Sequence, residues 1–377
     1  MQIRKLALLL STLCAAGAAL ADITVGVSVS ATGPAASLGI PEKNTFALLP
    51  QSIAGEKVKW IVLDDATDPT AGVKNVRKMI SEDKADVLIA ATATPVSMAI
   101  LEVAFETKTA QIAMAPVPPA GEKSAWIFST PQNFGLMATA IAEHMAASGV
   151  KSIGFIGYAD PYGELWLKAM QGAADAKGIK VTAVERYQRN DTSVTGQALK
   201  IMAANPDAVL VAGSGTPAVL PQSTLVERGY KGKVYQTHAA ATRDLMRIGG
   251  KDVEGTYVVS GPAVVGELLP DSHPSKPVAI DFVTKYEKAY GAGSRNQFAG
   301  HSYDALLVLE KVVPVALKKA KPGTPEFRAA LKDAIENMGR MVFAHGIMNW
   351  TKDDHWGYTT RTGVILKVVN GDWAYEE

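Results

Sequence analysis

The sequence predicts an α/β protein made of two doubly wound parallel sheets. Three observations carry that prediction. From Ile23 to Val259 short apolar runs alternate with amphipathic stretches, the pattern of parallel strands with helices on both faces. The alternation breaks once, near Ile127–Phe134, and divides it into two runs. Beyond Val278 the pattern turns mostly helical, as expected where a chain returns to its first domain.

Taken in order, Met1–Ala21 reads as a secretory signal. Arg4 and Lys5 form a basic start, Leu6–Leu13 an apolar core and Ala19-Leu20-Ala21 a small-x-small cleavage site. The apolar run is too short for a membrane anchor. Ser11-Thr12-Leu13 lacks the small residue a lipoprotein site needs before Cys14. The expectation is an exported, periplasmic protein cut after Ala21. Strands are expected at Ile23–Val29, Val58–Leu63, Val87–Ala91, Gln111–Met114 and Ser152–Ile156, then at Lys180–Glu185, Ala208–Ala212, Lys233–Gln236 and Thr256–Val259. Helical patterns fall at Thr70–Ser81, Gly135–Ala147, Glu164–Ala176, Val194–Ala203 and Pro217–Arg228. Asp68-Pro69 supplies an N-cap followed by proline in the first turn. Later come helices at Val278–Tyr290, Ser302–Lys319 and Thr324–Asn337, and strands at Met341–Thr351 and Thr362–Val369. There is no sequence repeat and no low-complexity segment.

Cys14 is the only cysteine, so a chain cut after Ala21 has no disulfide, thiolate metal site or cysteine nucleophile. Such a chain needs a large core, and 377 residues allow two ordinary domains. Removing Arg4 and Lys5 takes the basic count from 38 to 36 against 37 acids, a net charge of −1. That balance carries no nucleic-acid footprint and no polybasic membrane patch.

Enzyme motifs are missing: no G-x-S-x-G elbow, no P-loop and no G-x-G-x-x-G after a strand. Asp64-Asp65 with Asp68, and Asp353-Asp354-His355, sit where strands are expected to end, and acids there cap or turn the chain. Neither shows a metal-ligand spacing, and neither a metal nor a cofactor is expected. What remains is strand ends. Val87–Ala91 runs into Thr92, Thr94, Pro95 and Ser97, where a helix begins. A helix N-terminus with outward N–H groups and hydroxyls suits a carboxylate, although hydroxyls there also serve as ordinary caps. Ligands of doubly wound sheets sit beyond the carboxyl ends of the strands. The loops expected there are Ser30–Gly39, Ala91–Ser97, Ala115–Pro119, Ala159–Gly163, Ala212–Pro217 and Thr237–Ala241, all nearly uncharged.

The order of pieces resembles the periplasmic substrate-binding proteins of branched-chain amino acid ABC transporters, the leucine/isoleucine/valine-binding type. The resemblance spans the chain after Ala21. It rests on Ile23-Thr24-Val25-Gly26 with Thr32-Gly33-Pro34, Asp64-Asp65-x-x-Asp68-Pro69, Asp160-x-Tyr162-Gly163, Pro206-Asp207-Ala208 and Tyr303-Asp304-Ala305. Each piece is weak alone; together they keep the family's order and spacing. The resemblance implies a monomeric receptor of the type I periplasmic binding fold, two lobes joined by three crossovers. It implies closure over a small carboxylate ligand and delivery to a membrane permease. On that plan 22–132 plus 263–355 form lobe one, and 133–262 plus 356–377 form lobe two. Position by position, Thr94 falls where the family places the hydroxyl that holds the ligand carboxylate. Ala93, Ser97, Pro116, Val117 and Pro118 line that side, with Pro118 where a hydroxyl donor would be expected. Leu38 and Phe298 match contacts from the first lobe, and Tyr162, Ser214 and His238 contacts from the second.

The departures bear on the ligand. His238 stands where amino-acid receptors of this family place the carboxylate that holds the ligand ammonium. A buried ammonium without an acceptor costs several kcal/mol, about the penalty of an unpaired charge. Neutral histidine accepts one hydrogen bond and protonated histidine repels the cation. The expected ligand is therefore a small acid without an α-amino group, an aromatic or branched keto or carboxylic acid. Its binding is expected to strengthen as pH falls through the His238 titration. The alternative is an apolar amino acid whose ammonium meets backbone carbonyls. Two rivals are an exported hydrolase using His238 or His301 as base, and a ligand-sensing protein on the same body.

Overall fold

The computed structural model describes residues 22–358 and 362–376. The signal segment expected at Met1–Ala21, its cleavage site and Cys14 lie outside the described residues. In lobe one, β1 (Ile23–Val29), α1 (Ala36–Phe46), β2 (Ser52–Ile53), β3 (Glu56–Asp64), α2 (Pro69–Ser81), β4 (Val87–Ala90), α3 (Thr94–Thr107), β5 (Gln111–Ala113) and β6 (Ile127–Ser129) follow one another. They make a six-stranded sheet in the order β2-β3-β1-β4-β5-β6. Every residue of β1 is buried, because helices cover both faces of the sheet. Val76, Met79, Val96, Ile100 and Val103 of α2 and α3 cover one face.

The chain then crosses to lobe two through α4 (Phe134–Ala147), β7 (Ser152–Tyr158), α5 (Pro161–Ala176), β8 (Lys180–Tyr187), α6 (Thr195–Ala203), β9 (Ala208–Ala212), α7 (Val219–Glu227), β10 (Lys233–Gln236), α8 (Arg243–Gly249) and β11 (Tyr257–Ser260). It returns to the first core with α9 (Lys276–Tyr290), α10 (Gln297–Ala316), α11 (Pro325–Glu336) and a hairpin of β12 (Met341–Phe343) and β13 (Gly346–Met348). Phe282, Leu309, Phe327 and Trp350 pack there on the other face of the first sheet. A third crossing delivers β14 (Val364–Val369) and β15 (Asp372–Glu376) to the second sheet, in the order β15-β14-β11-β10-β9-β7-β8. The fold is two α/β lobes with three crossings, as expected.

Three details differ from the sequence expectation. The sheets are mostly rather than wholly parallel, since β2, β14 and β15 pair antiparallel. Met341–Thr351 is a hairpin instead of one strand, turning where Asp304 accepts the Ala344 and His345 N–H groups. Residues 36–39, expected in a loop, begin α1. Gly39 permits this, because a Cβ there would lie 2.1 Å from the Ser30 carbonyl oxygen. Gly163 does the same in lobe two, 1.9 Å from that of Tyr158. In each lobe a glycine seats a helix start on a strand end, which leaves the βα loops facing the other lobe.

Candidate functional site

The lobes meet at the carboxyl ends of their strands. At the mouth the Thr216 N–H donates to Ser37 Oγ across the cleft at 3.3 Å. Leu38 and Phe298, carried by lobe-one helices, pack into the lobe-two core. A cavity of about 20 Å³ remains between the lobes. That is room for roughly one water, so any larger ligand requires the lobes to part.

Eight residues singled out from the sequence line this cavity: Leu38, Ala93, Thr94, Pro116, Tyr162, Ser214, His238 and Phe298. Three lie elsewhere. Ser97 is buried behind the strand end, where its hydroxyl donates to the Ala91 carbonyl and accepts the Ala91 N–H. Val117 and Pro118 line a separate groove of about 400 Å³ with Lys352, Asp353 and His355. That groove lacks a wall from the second sheet. The inter-lobe cavity draws on both lobes and is the candidate site.

The lobe-one wall is the start of α3. Its N-cap, Ala93, has no side chain to satisfy the first-turn N–H groups, which suits an incoming anion. The Thr94 hydroxyl donates to the Pro116 carbonyl at 3.0 Å. Thr92 also lines the cavity; its hydroxyl is bonded to Glu42 and accepts the Ser30 N–H. Burial pushes the Glu42 carboxyl well above the ordinary carboxylate range, against the opposing pull of that hydroxyl.

The lobe-two wall is aromatic with one cation. His238 is 6.0 Å from Tyr162, 6.0 Å from Trp166 and 6.3 Å from Phe298, ring centre to ring centre. Burial, with a smaller contribution from His345, lowers its pKa to about 3, and its Nδ1 has no hydrogen-bond partner. The imidazole is therefore neutral from mildly acid pH upward. Desolvation thus moves the His238 titration, through which binding is expected to strengthen, down into strongly acid solution.

Arg189 is the cation, a residue outside the positions expected from the sequence. It follows β8, which continues to Tyr187; ending that strand at Glu185 hides the loop in which Arg189 sits. A basic residue just beyond a strand end, where the other βα loops are nearly uncharged, is the signal that points to it. Its Nε donates to Asp160 Oδ2 at 2.6 Å, one Nη1 hydrogen goes to Ser214 Oγ at 3.1 Å, and its plane lies 4.2 Å from the Tyr158 ring centre. Asp160 is engaged on both oxygens, since the other caps α5 through the Tyr162 and Gly163 N–H groups. A guanidinium has five N–H donors, so three remain without a partner among the described residues. Among the described residues no aspartate or glutamate lines the cavity.

The acidic clusters serve the chain. Asp65 binds Ser28, Ser30 and the Thr67 N–H, Asp68 caps α2, and Asp354 accepts two turn N–H groups. His301, Asp304 and His345 bring potential metal ligands within 4.8 Å of one another. Yet the two imidazoles stack at 3.9 Å and 26°, so one ion cannot lie in both ring planes at a bond length near 2.1 Å.

The family model described as periplasmic binding protein matches residues 22–372. The chain belongs to the periplasmic binding protein family. An extracellular ligand-binding receptor from Rhodopseudomonas palustris is 48% identical, over 94% of this chain and 99% of that one, with a TM-score of 0.93. A Leu/Ile/Val-binding protein homolog 3 of Brucella melitensis is 24% identical over 255 residues, 65% of this chain and 69% of the homolog. A leucine binding protein from Thermotoga maritima, 21% identical over 94% of this chain and 98% of its own, shares the fold with a TM-score of 0.81. This periplasmic binding protein is a solute-binding receptor, and its family places it in the periplasm.

Proposed function

We propose that this receptor captures a small carboxylate that lacks an α-amino group, an aromatic or branched keto or carboxylic acid, for the permease of an ABC importer. It acts by binding, without turnover, as an exported monomer cut after Ala21. One observation carries the ligand class: the cavity presents a guanidinium and a neutral imidazole and no carboxylate. A ligand ammonium would lose its water there and gain no counter-charge, a cost of several kcal/mol at the order of magnitude of buried unpaired charges. A carboxylate has donors on both walls, in the start of α3 and in the free N–H groups of Arg189. Tyr162, Leu38 and Phe298 supply apolar faces for the rest of the molecule.

The experiment is a thermal-shift panel with mass spectrometry of whatever the purified protein releases. Ligand at 100 times its dissociation constant adds about 2.7 kcal/mol. That is several degrees at roughly 2–4 °C per kcal/mol. Benzoate, phenylglyoxylate or branched 2-keto acids are expected to raise the melting temperature, and leucine, valine and phenylalanine to leave it nearly unchanged. A large shift with leucine and none with any acid would restore the amino-acid reading.

A further inference from the structure

One side-chain amide joins both lobes deep in the hinge. Gln297 opens α10, whose body packs in the lobe-one core, and it is fully buried. Its Oε1 accepts from Ser260 Oγ at 2.8 Å and from the Gly261 N–H at 3.0 Å, where the chain leaves β11 to cross between lobes. Its Nε2 donates to the His238 carbonyl at 2.7 Å, on the lobe-two wall of the cavity. The next residue, Phe298, lines the same cavity. We propose that Gln297 is a positioning residue for ligand capture, an amide latch that ties lobe one to the hinge and to the lobe-two wall and so holds the closed state.

The chemistry of the partners selects this residue. A backbone N–H can only donate and a carbonyl can only accept, so the side chain must offer an acceptor on one side and a donor on the other. A neutral amide does both. Glutamate would set a carboxylate oxygen against the His238 carbonyl, and an apolar side chain would leave buried groups unpaired. The neighbourhood leaves no slack. A Cβ on Gly261 would lie 2.3 Å from His345 Cδ2 and 3.0 Å from Gln132 Nε2. Gln132 in turn donates to the carbonyls of His345 and Thr362, at 3.1 and 3.3 Å. Gln132 thus binds the crossings to one another, whereas Gln297 extends the connection to a residue that touches the cavity. Its bond to His238 spans the lobe boundary, so rotation of the lobes strains it and closure restores it.

The proposal rests on the inter-lobe cavity as the capture site and is independent of which acid fills it. Its test uses the scarcity of cysteine. With Cys14→Ser, a Ser37→Cys/Thr216→Cys pair sits where the Thr216 N–H meets Ser37 across the mouth, and its rate of disulfide formation without ligand reads the closed population. Gln297→Met is expected to slow that reaction about tenfold, and Ser260→Ala, which removes one of the three bonds, to slow it less. Circular dichroism and melting establish that each variant is folded. Equal rates in folded Gln297→Met and its parent overturn the proposal. If Gln297→Met does not fold, an unchanged rate in Ser260→Ala overturns it alone. The acid panel does not enter this readout, so either reading can fail while the other stands.

Discussion

At the residue scale, the site turns on how burial sets charge. Asp160 and two aromatic faces hold the Arg189 guanidinium in place, and its free N–H groups are the strongest donors in the cavity wall. Arg189→Met is expected to weaken binding of the preferred acid by about 1.5–3 kcal/mol, the range for hydrogen bonds to charged groups. Thr94→Ala should cost less, about 1 kcal/mol, since that hydroxyl already donates to Pro116. Calorimetry on both variants checks the order; equal affinity in Arg189→Met would place the carboxylate elsewhere. His301 gives a pH prediction. Burial, then the charges of His345 and His238, hold its pKa well below the ordinary value of 6.5, and both ring nitrogens lack partners. The folded chain then binds fewer protons than the unfolded one as pH falls below 6.5, so this group's contribution to stability is present above that value and lost on acidification. Asp86, raised to about 6 by burial, acts with the opposite sign, its contribution being lost as pH rises through that value. Comparing parent and His301→Leu by urea unfolding at pH 7.5 and pH 5 isolates the histidine. The variant should lose less stability on acidification, and an equal loss in both would remove His301 from the acid limb.

At the element scale, legibility followed burial and capping. Ile23–Val29, Ala208–Ala212 and Lys233–Gln236 have the same bounds in sequence and structure, because short apolar runs covered on two faces leave little doubt about their ends. Asp68-Pro69 marks a helix start through a side chain that accepts a first-turn N–H; Asp160-Pro161 does the same for α5, three residues before the helix expected from Glu164. Helix α1 was illegible from residue 36 to Phe46: its hydrophobic residues have no helical period and Pro41 lies inside it. It forms through tertiary contact, with Leu38 held by the lobe-two core and Phe46 by the lobe-one core. The eight cavity residues were legible through the resemblance to the leucine/isoleucine/valine-binding type, which supplies their positions, and Arg189 escaped because two more residues of β8 moved the end of its strand. The β2–β3 turn shows a local conflict that the fold overrides. Ala54 and Gly55 connect these strands with φ of 55° and 86°, where glycine and asparagine are at ease and alanine is not. Ala54→Asn should stabilise the protein by about 1 kcal/mol, the scale of the left-handed penalty for a residue with a Cβ. Urea unfolding measures it; a loss of stability would mean that the turn draws on contacts of the alanine itself.

At the scale of the whole molecule, the fold converts a few cavity contacts into a change of shape. The two cores are separate, and three crossings, tied by Gln132 and Gln297, connect them. A cavity of about 20 Å³ has room for about one water, so an acid of the proposed class is expected to enter an open arrangement that closes around it. On the proposed reading the ligand meets Thr94 from one lobe and Arg189 from the other only when the lobes are together, and so binds the closed state more tightly than the open one. Moving a population from 1:99 to 99:1 requires about 5.5 kcal/mol of differential affinity. A micromolar ligand releases about 8.2 kcal/mol in all, enough to drive the change if most of its contacts form on closure. Small-angle scattering at saturating ligand should therefore give a smaller radius of gyration than without it, with no change in mass. Arg189→Met, at concentrations that saturate it, should close less completely, because one of the two walls has lost its grip. Identical curves for the parent with and without ligand would show that the lobes do not move on binding, and that the small cavity admits its ligand by side-chain motion alone.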